Sequence, residues 1–192
     1  MIEKIDEYEI DLDRSNFNIT NDAITLFNFM IEDDISRGSI LEIGPGSGYI
    51  CLKLYKYNKD ITAIEIQKEV FEVLEKNIRK NSLDIICLNE DVLKHDKKYD
   101  LIVTNPPYYK INSGKYPKSD IMKFSKFEFL LSQEALVSKI KSLLKDENSR
   151  FYMVYPIERK NELVANLDKN GLIIKKELEK SRLYFISGSL KK

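Results

Sequence analysis

Apolar residues along this chain follow two rhythms. Five short runs, Ser39–Ile43, Ile61–Ile66, Asp84–Leu88, Asp100–Val103 and Arg150–Tyr155, are apolar almost throughout and predict strands buried on both faces. Between them the spacing changes to three and four, which predicts helices. One begins at a cap, Thr20 or Asn21, and carries Ala23, Ile24, Phe27, Met30 and Ile31 on its apolar side. Asp22 falls in its first turn, where negative charge favours a helix N-terminus. A second helix holds Ile50, Cys51 and Leu54, a third spans Gln67–Ser82 with Val70, Phe71, Leu74 and Ile78 inward, and a fourth spans Phe124–Leu144. The last, Glu158–Asn170, is closed by Gly171. Leu172–Leu178 and Leu183–Ser187 flank a charged turn and predict an antiparallel closing hairpin.

Two stretches lack a period. Ile2–Asp13 mixes charge with isolated apolar residues and reads as a strand or a loosely attached arm. Tyr109–Lys123, with Gly114 and Pro117, reads as a loop of unusual length, and such loops are often functional. The alternation of strand and helix elsewhere predicts an α/β fold: a doubly wound, mostly parallel seven-stranded sheet with helices on both faces and right-handed crossovers. A chain of 192 residues fits one domain, 1–192, with an arm and helix in 1–38 and the core in 39–192.

Composition adds bounds. At 43% apolar and 32% charged, with 31 basic and 31 acidic side chains, the chain reads as an ordinary globule whose net charge requires no nucleic acid. Charge is unevenly placed, however. Met1–Asp13 is acidic, whereas the segment after Tyr108 carries Lys110, Lys115, Lys118, Lys123 and Lys126 against Asp120 alone. Cys51 and Cys87 lie far apart in apolar runs, which predicts buried reduced thiols in a reducing compartment and no metal site. No leader or bilayer-length apolar run is evident, so the expected location is the cytoplasm, with a monomer as the default. The lone histidine, His95 in Lys94–Lys98, predicts a solvated surface loop.

Candidate chemistry sits at two strand ends. Ile43 runs into Gly44-Pro-Gly-Ser-Gly48 and then a helix, and the next strand ends in an acid, Glu65, about 20 residues after the glycines. Glycines serve where the backbone takes positive φ or nears a ligand, and a carboxylate at that spacing can bind ribose hydroxyls. A dinucleotide fingerprint has its third glycine one residue later than this chain does. The other end is Tyr99–Tyr108. Here an apolar strand enters a turn that Pro106 and Pro107 lock near φ −65°, with each preceding residue pushed toward extended geometry. Asn105 Oδ1 and the Pro106 carbonyl can each accept one N–H of a planar NH₂ group, while Tyr108 stacks on the attached ring.

The pattern Glu42-x-Gly44-x-Gly46-x-Gly48 resembles the first motif of the class I S-adenosylmethionine-dependent methyltransferases. That resemblance implies an antiparallel edge strand formed by the closing hairpin. It also implies a cofactor, S-adenosylmethionine, whose methionine portion lies along Gly44–Gly48 and whose ribose meets Glu65, next to Ile66. Asp91 would accept from the adenine N6, with Val92 against the ring. Asn105-Pro-Pro-Tyr108 resembles the amino-methyltransferases, which methylate exocyclic amines of bases or the side-chain amide of glutamine. Over most of the chain the resemblance is to the bacterial tRNA adenine-N6 methyltransferases that modify the adenine beside the anticodon of a valine tRNA. It is carried by Phe17 through Ile24, Asn105–Tyr109 and Phe151–Pro156. Those enzymes commonly have Ala-Arg-His-Glu where this chain reads Ser125-Lys-Phe-Glu128.

The resemblance therefore implies methyl transfer to adenine N6 in RNA, a tRNA first among them, with Tyr109, Lys110, Phe124 and Lys126 toward the substrate. Ribosomal RNA and a protein glutamine are the alternative substrates. A non-catalytic cofactor-binding scaffold is the reading from another class.

Overall fold

A computed structural model describes residues 2–12 and 18–192; Phe17 lies outside them. The N-terminal stretch forms a two-stranded antiparallel hairpin of its own, β1 (Ile2–Ile5) and β2 (Tyr8–Asp11). It docks on the third helix through two amides. Asn81 exchanges a pair of 2.8 Å hydrogen bonds with the backbone of Glu9, and Asn77 Oδ1 accepts from the Asp11 N–H at 2.8 Å. Asn77 Nδ2 also donates to the Ser47 carbonyl at 2.9 Å, so the arm and the glycine turn share one buried side chain.

Helix α1 (Asn21–Met30) starts at Thr20, whose hydroxyl accepts from the Ala23 N–H. Then strand and helix alternate: β3 (Ile40–Ile43), α2 (Tyr49–Leu54), β4 (Ile61–Ile64), α3 (Lys68–Lys80), β5 (Ile86–Leu88) and β6 (Leu101–Thr104). Two helices follow, α4 (Asp120–Lys126) and α5 (Gln133–Leu143), then β7 (Arg150–Pro156), α6 (Lys160–Lys169), β8 (Leu172–Lys180) and β9 (Leu183–Leu190). The large sheet has seven strands in the order β5-β4-β3-β6-β7-β9-β8. Strands β3 to β7 are parallel, and the closing hairpin brings β9 in antiparallel beside β7 with β8 outermost. Every residue of β3, β4 and β6 is buried, as strands covered on both faces must be. One face packs on α1, α2, α3 and the N-terminal hairpin, the other on α5 and α6.

Register sets up the site. Ile43 pairs with Ile64 and with Thr104, and Ile64 pairs with Leu88, so four parallel strands end in line. The loops that follow them, beginning at Gly44, Glu65, Asn89 and Asn105, leave the sheet along one edge.

Four expectations change, the first at the edge strand β5, where Ile86 is 49% exposed and Cys87, expected buried, is only partly so. The single helix expected over Phe124–Leu144 is two helices, because residues between them pair elsewhere. Tyr109 N–H donates to the Lys126 carbonyl and Glu128 N–H to the Tyr109 carbonyl, both at 2.9 Å, a small parallel bridge between Tyr109 and Phe127. Ser132 then caps α5 afresh, accepting from the Ala135 N–H. The expected long loop accordingly ends at Ser119 rather than Lys123. His95 is not solvated: Nδ1 lies 2.5 Å from Glu90 Oε1 and Nε2 2.9 Å from the Tyr99 hydroxyl, with the two rings stacked. Among the described residues no helix is long and apolar enough to cross a membrane.

Candidate active site

A cleft of about 260 Å³ opens at the edge where the parallel strands end. It brings together Glu42, Gly44, Gly46, Glu65, Ile66, Asp91, Val92, Asn105, Pro106, Pro107 and Tyr108 from the strand ends, and Phe124 and Lys126 from α4. Three predicted residues stand apart from it. Gly48 faces the core: φ is +92°, and a Cβ there would lie 2.8 Å from Leu74 and 2.9 Å from Leu52. Its glycine serves the packing of the turn against α3. Tyr109 is on the outer rim, 45% exposed, and the Lys110 ammonium pairs with Glu162 at 2.9 Å.

Gly44 and Gly46 line the cleft. Both have positive φ, and a Cβ at Gly44 would meet nothing within 4 Å, so the backbone there borders open space. Below the turn, Glu42 is buried and its Oε2 has no hydrogen-bond partner. Burial pushes its carboxyl up to about 8. Glu65 at the end of β4 accepts from the Gln67 N–H at 2.9 Å, and burial pushes its carboxyl up to about 7 against that bond and others from the Gly46 and Ile66 backbone. Asp91 spends one oxygen on the Leu93 N–H at 2.9 Å, capping a 3₁₀ turn at Val92–Lys94. The capping role and the place on the cleft wall coexist.

The segment ahead of α1 covers the opposite lip, with Asn18, Ile19, Thr20 and Asp22 lining the cleft. Asp22 Oδ2 lies 3.5 Å from the Tyr108 hydroxyl. Burial pushes that hydroxyl well above the usual tyrosine range. Across the mouth, Gln67 Nε2 donates to Ser125 Oγ at 3.1 Å, joining the start of α3 to α4.

Sequence reasoning missed the group that holds the Pro-Pro turn from behind. Arg159, with its side chain 9% exposed, donates from Nη1 to the Tyr108 carbonyl at 3.0 Å and to Glu128 Oε1, and from Nε and Nη2 to Glu162 at 3.2 and 3.0 Å. Glu128 also accepts the Gln133 N–H at 3.1 Å. The turn, the end of the rim segment and the start of α5 thus meet on one guanidinium, whose planar fork suits several acceptors at once. The only sequence signal was an arginine three residues beyond Pro156, where the apolar strand ends.

Several known proteins with similar sequences or folds are methyltransferases. The tRNA1(Val) (adenine(37)-N6)-methyltransferase of Trichodesmium erythraeum is 27% identical over 184 residues, 90% of this chain and 74% of that protein. The release factor glutamine methyltransferase of Streptococcus pneumoniae is 40% identical over 73 residues, 36% of this chain and 26% of that protein. The match spans 24% to 37% of the length of three longer curated relatives. The crystal structure of a methyltransferase from Pyrococcus furiosus superposes with a TM-score of 0.75 at 19% identity, over 98% of this chain and 91% of that one. With a family model matching residues 21–123, more than half of its length, this chain belongs to the methyltransferase small domain family.

Proposed function

We propose that this protein is an S-adenosylmethionine-dependent methyltransferase acting on adenine N6 of an RNA, a tRNA first among them, in the cytoplasm. The observation that carries the reading is the juxtaposition in one cleft of the Gly44–Gly46 turn, Glu65 and the Asn105–Tyr108 turn. The residues fit the cofactor. The open space beside Gly44 and the orphaned Glu42 oxygen suit its amino-acid end, and the Glu65 carboxylate suits two ribose hydroxyls. Asp91 and Val92 suit an amino-substituted ring. When bound, the cofactor supplies a methyl group on a sulfonium sulfur.

The chain's own residues do the rest by position. An exocyclic amine is a weak nucleophile because its lone pair is delocalised into the ring. Asn105 Oδ1 and the Pro106 carbonyl each accept one of its hydrogens, which draws the nitrogen toward tetrahedral geometry and localises the pair. Such alignment and preorganised polarity are large catalytic terms. The nitrogen becomes acidic only as its new bond forms, so a weak acceptor suffices and one proton leaves to solvent. Tyr108 supplies the stacking surface for a base taken out of its helix.

A glutamine side-chain amide presents the same NH₂ geometry, and the rim lysines favour a polyanion over it. A scaffold subunit would bind cofactor, yet Asn105→Ala would change no methylation in cells. Nucleoside analysis of tRNA and ribosomal RNA from a strain lacking the gene tests the reading. Loss of N6-methyladenosine at one site is expected, and an unchanged level in both RNAs overturns it.

A further inference from the structure

The rim beyond Tyr108 carries aromatic rings in unbroken contact. From Tyr108 the centroids step to Tyr109 at 4.9 Å, Phe127 at 5.4 Å, Tyr116 at 4.9 Å, Phe129 at 5.4 Å and Phe124 at 6.0 Å. The first and last rings line the cleft, so the series leaves it and returns to it. Phe127 is buried and anchors the group, whereas Tyr109 is 45% and Tyr116 38% exposed, with Ile111 exposed between them in sequence. The Lys123 ammonium lies 4.6 Å from the Phe129 ring, 5.3 Å from Tyr116 and 5.7 Å from Phe124. The geometry points to a stacking shelf for the unpaired nucleotides that flank the target base in single-stranded RNA.

Three features select that occupant. Exposed rings beside a cleft offer π-faces to any base, which is how single-stranded nucleic acid is held without sequence readout. Lysines 115 and 118 are exposed on the same segment, whose net charge from Tyr109 to Lys126 is strongly positive, with Asp120 the lone acid. A polyphosphate backbone complements that charge. The bridge between Tyr109 and Phe127 and the Arg159–Glu128 pair fix both ends of the segment, so the shelf keeps its place relative to the Pro-Pro turn. A duplex cannot lay its bases on these rings. The shelf therefore favours a target base that is unpaired or has left its helix.

The inference rests on RNA as the substrate, and its test separates the two. A fluorescein-labelled oligoribonucleotide of about 12 nucleotides with a central adenine is titrated alone, annealed to its complement, and against a glutamine-containing peptide. The wild-type protein should bind the single strand about tenfold more tightly than the duplex. Tyr109→Leu and Tyr116→Leu, which keep apolar bulk and lose the ring, should each weaken binding about five- to tenfold, while Tyr116→Phe binds as wild type. Lys115→Glu with Lys118→Glu should lower the salt slope by about 1 to 2. Cofactor affinity should hold in all of them. Equal binding by the leucine variants, equal binding of duplex and single strand, or preference for the peptide overturns the shelf. Should the shelf bind RNA while no methyl reaches adenine, the shelf stands and the reaction assigned above falls. If adenine is methylated with an unchanged KM in Tyr116→Leu, the reaction stands and the shelf falls.

Discussion

On the β3–β4 side of the cleft, the backbone leaves the sheet, turns within Gly44–Gly48 and re-enters a helix, and the carboxylates of Glu42 and Glu65 are buried behind it. On the β6 side the chain leaves at Asn105 and does not settle into a core helix until Gln133, with exposed rings and lysines on the way. The first side is held by neighbours in the sheet; the second is held by fewer ties, chiefly Arg159 at its base, the Tyr109–Phe127 bridge and the Gln67–Ser125 bond. Packed strand ends give a fixed place for a common cofactor. A rim tied at its base can vary in surface without disturbing the turn, which suits the substrate-choosing part that the proposed reaction assigns to it.

This contrast breaks most visibly at Arg159. Replacing it by alanine leaves the Glu128 carboxylate, 9% exposed, without a cation, and loss of one member of a buried pair costs about 3–5 kcal/mol. Urea unfolding should show that loss, and a trypsin digest should cut faster at the rim lysines than in the wild type. Unchanged cleavage would mean that the rim is held by its own packing.

Within the glycine turn the two roles separate next. Gly48→Ala forces a side chain at φ +92° against Leu74 and Leu52 and should cost about 1–3 kcal/mol of stability, read by thermal unfolding. Gly44→Ala carries the backbone strain alone, about 1–2 kcal/mol, and should show its larger effect in cofactor affinity, read by calorimetry. Equal affinity losses in the two variants would erase the distinction.

The last effect is a pH slope. Burial raises the Glu42 and Glu65 carboxyls to about 8 and about 7 from 4.5. Their unfolded counterparts ionise first, so the folded state holds more protons between about pH 4.5 and 8, and the stability they contribute is full below that window and lost as pH rises through it. The free protein should lose about 1.4 kcal/mol per carboxyl for each pH unit between that carboxyl's unfolded and folded titrations. Glu65→Gln should remove about half of the slope between about pH 4.5 and 7 and leave the Glu42 share, which runs on to about pH 8. The ionised carboxylate is the form that accepts two ribose hydroxyls, so cofactor affinity should rise with pH up to about 7 in the wild type and stay flat in the variant. A wild-type affinity independent of pH would count against the ribose role of Glu65.

The same contrast explains what was legible beforehand. Parallel strands buried on both faces write themselves as apolar runs, and the glycine and Pro-Pro turns carry their geometry in residue type. Gly48 looked like Gly44 because spacing carries no record of Leu74 on another helix. Phe127, Leu130 and Leu131 match helical spacing, yet the pairing of Phe127 with Tyr109 ends α4, a tertiary bond that periodicity cannot see. Arg159 reaches Glu128 and the Tyr108 carbonyl across 31 and 51 residues, and the Ile2–Asp11 hairpin needs Asn77 and Asn81 to dock. His95 looked solvated because its partners Glu90 and Tyr99 are polar or amphipathic and gave no burial signal.

The central claim is that the Asn105–Tyr108 turn, beside the glycine turn, drives methyl transfer to adenine N6. The direct measurement incubates purified wild type and Asn105→Ala with methyl-labelled cofactor and unmodified tRNA, then digests the RNA and identifies the labelled nucleoside by mass spectrometry. The account predicts N6-methyladenosine from the wild type and a rate about 10²–10³ lower in the variant, at similar cofactor affinity. Label absent from adenine, or equal rates from the two proteins, would contradict it.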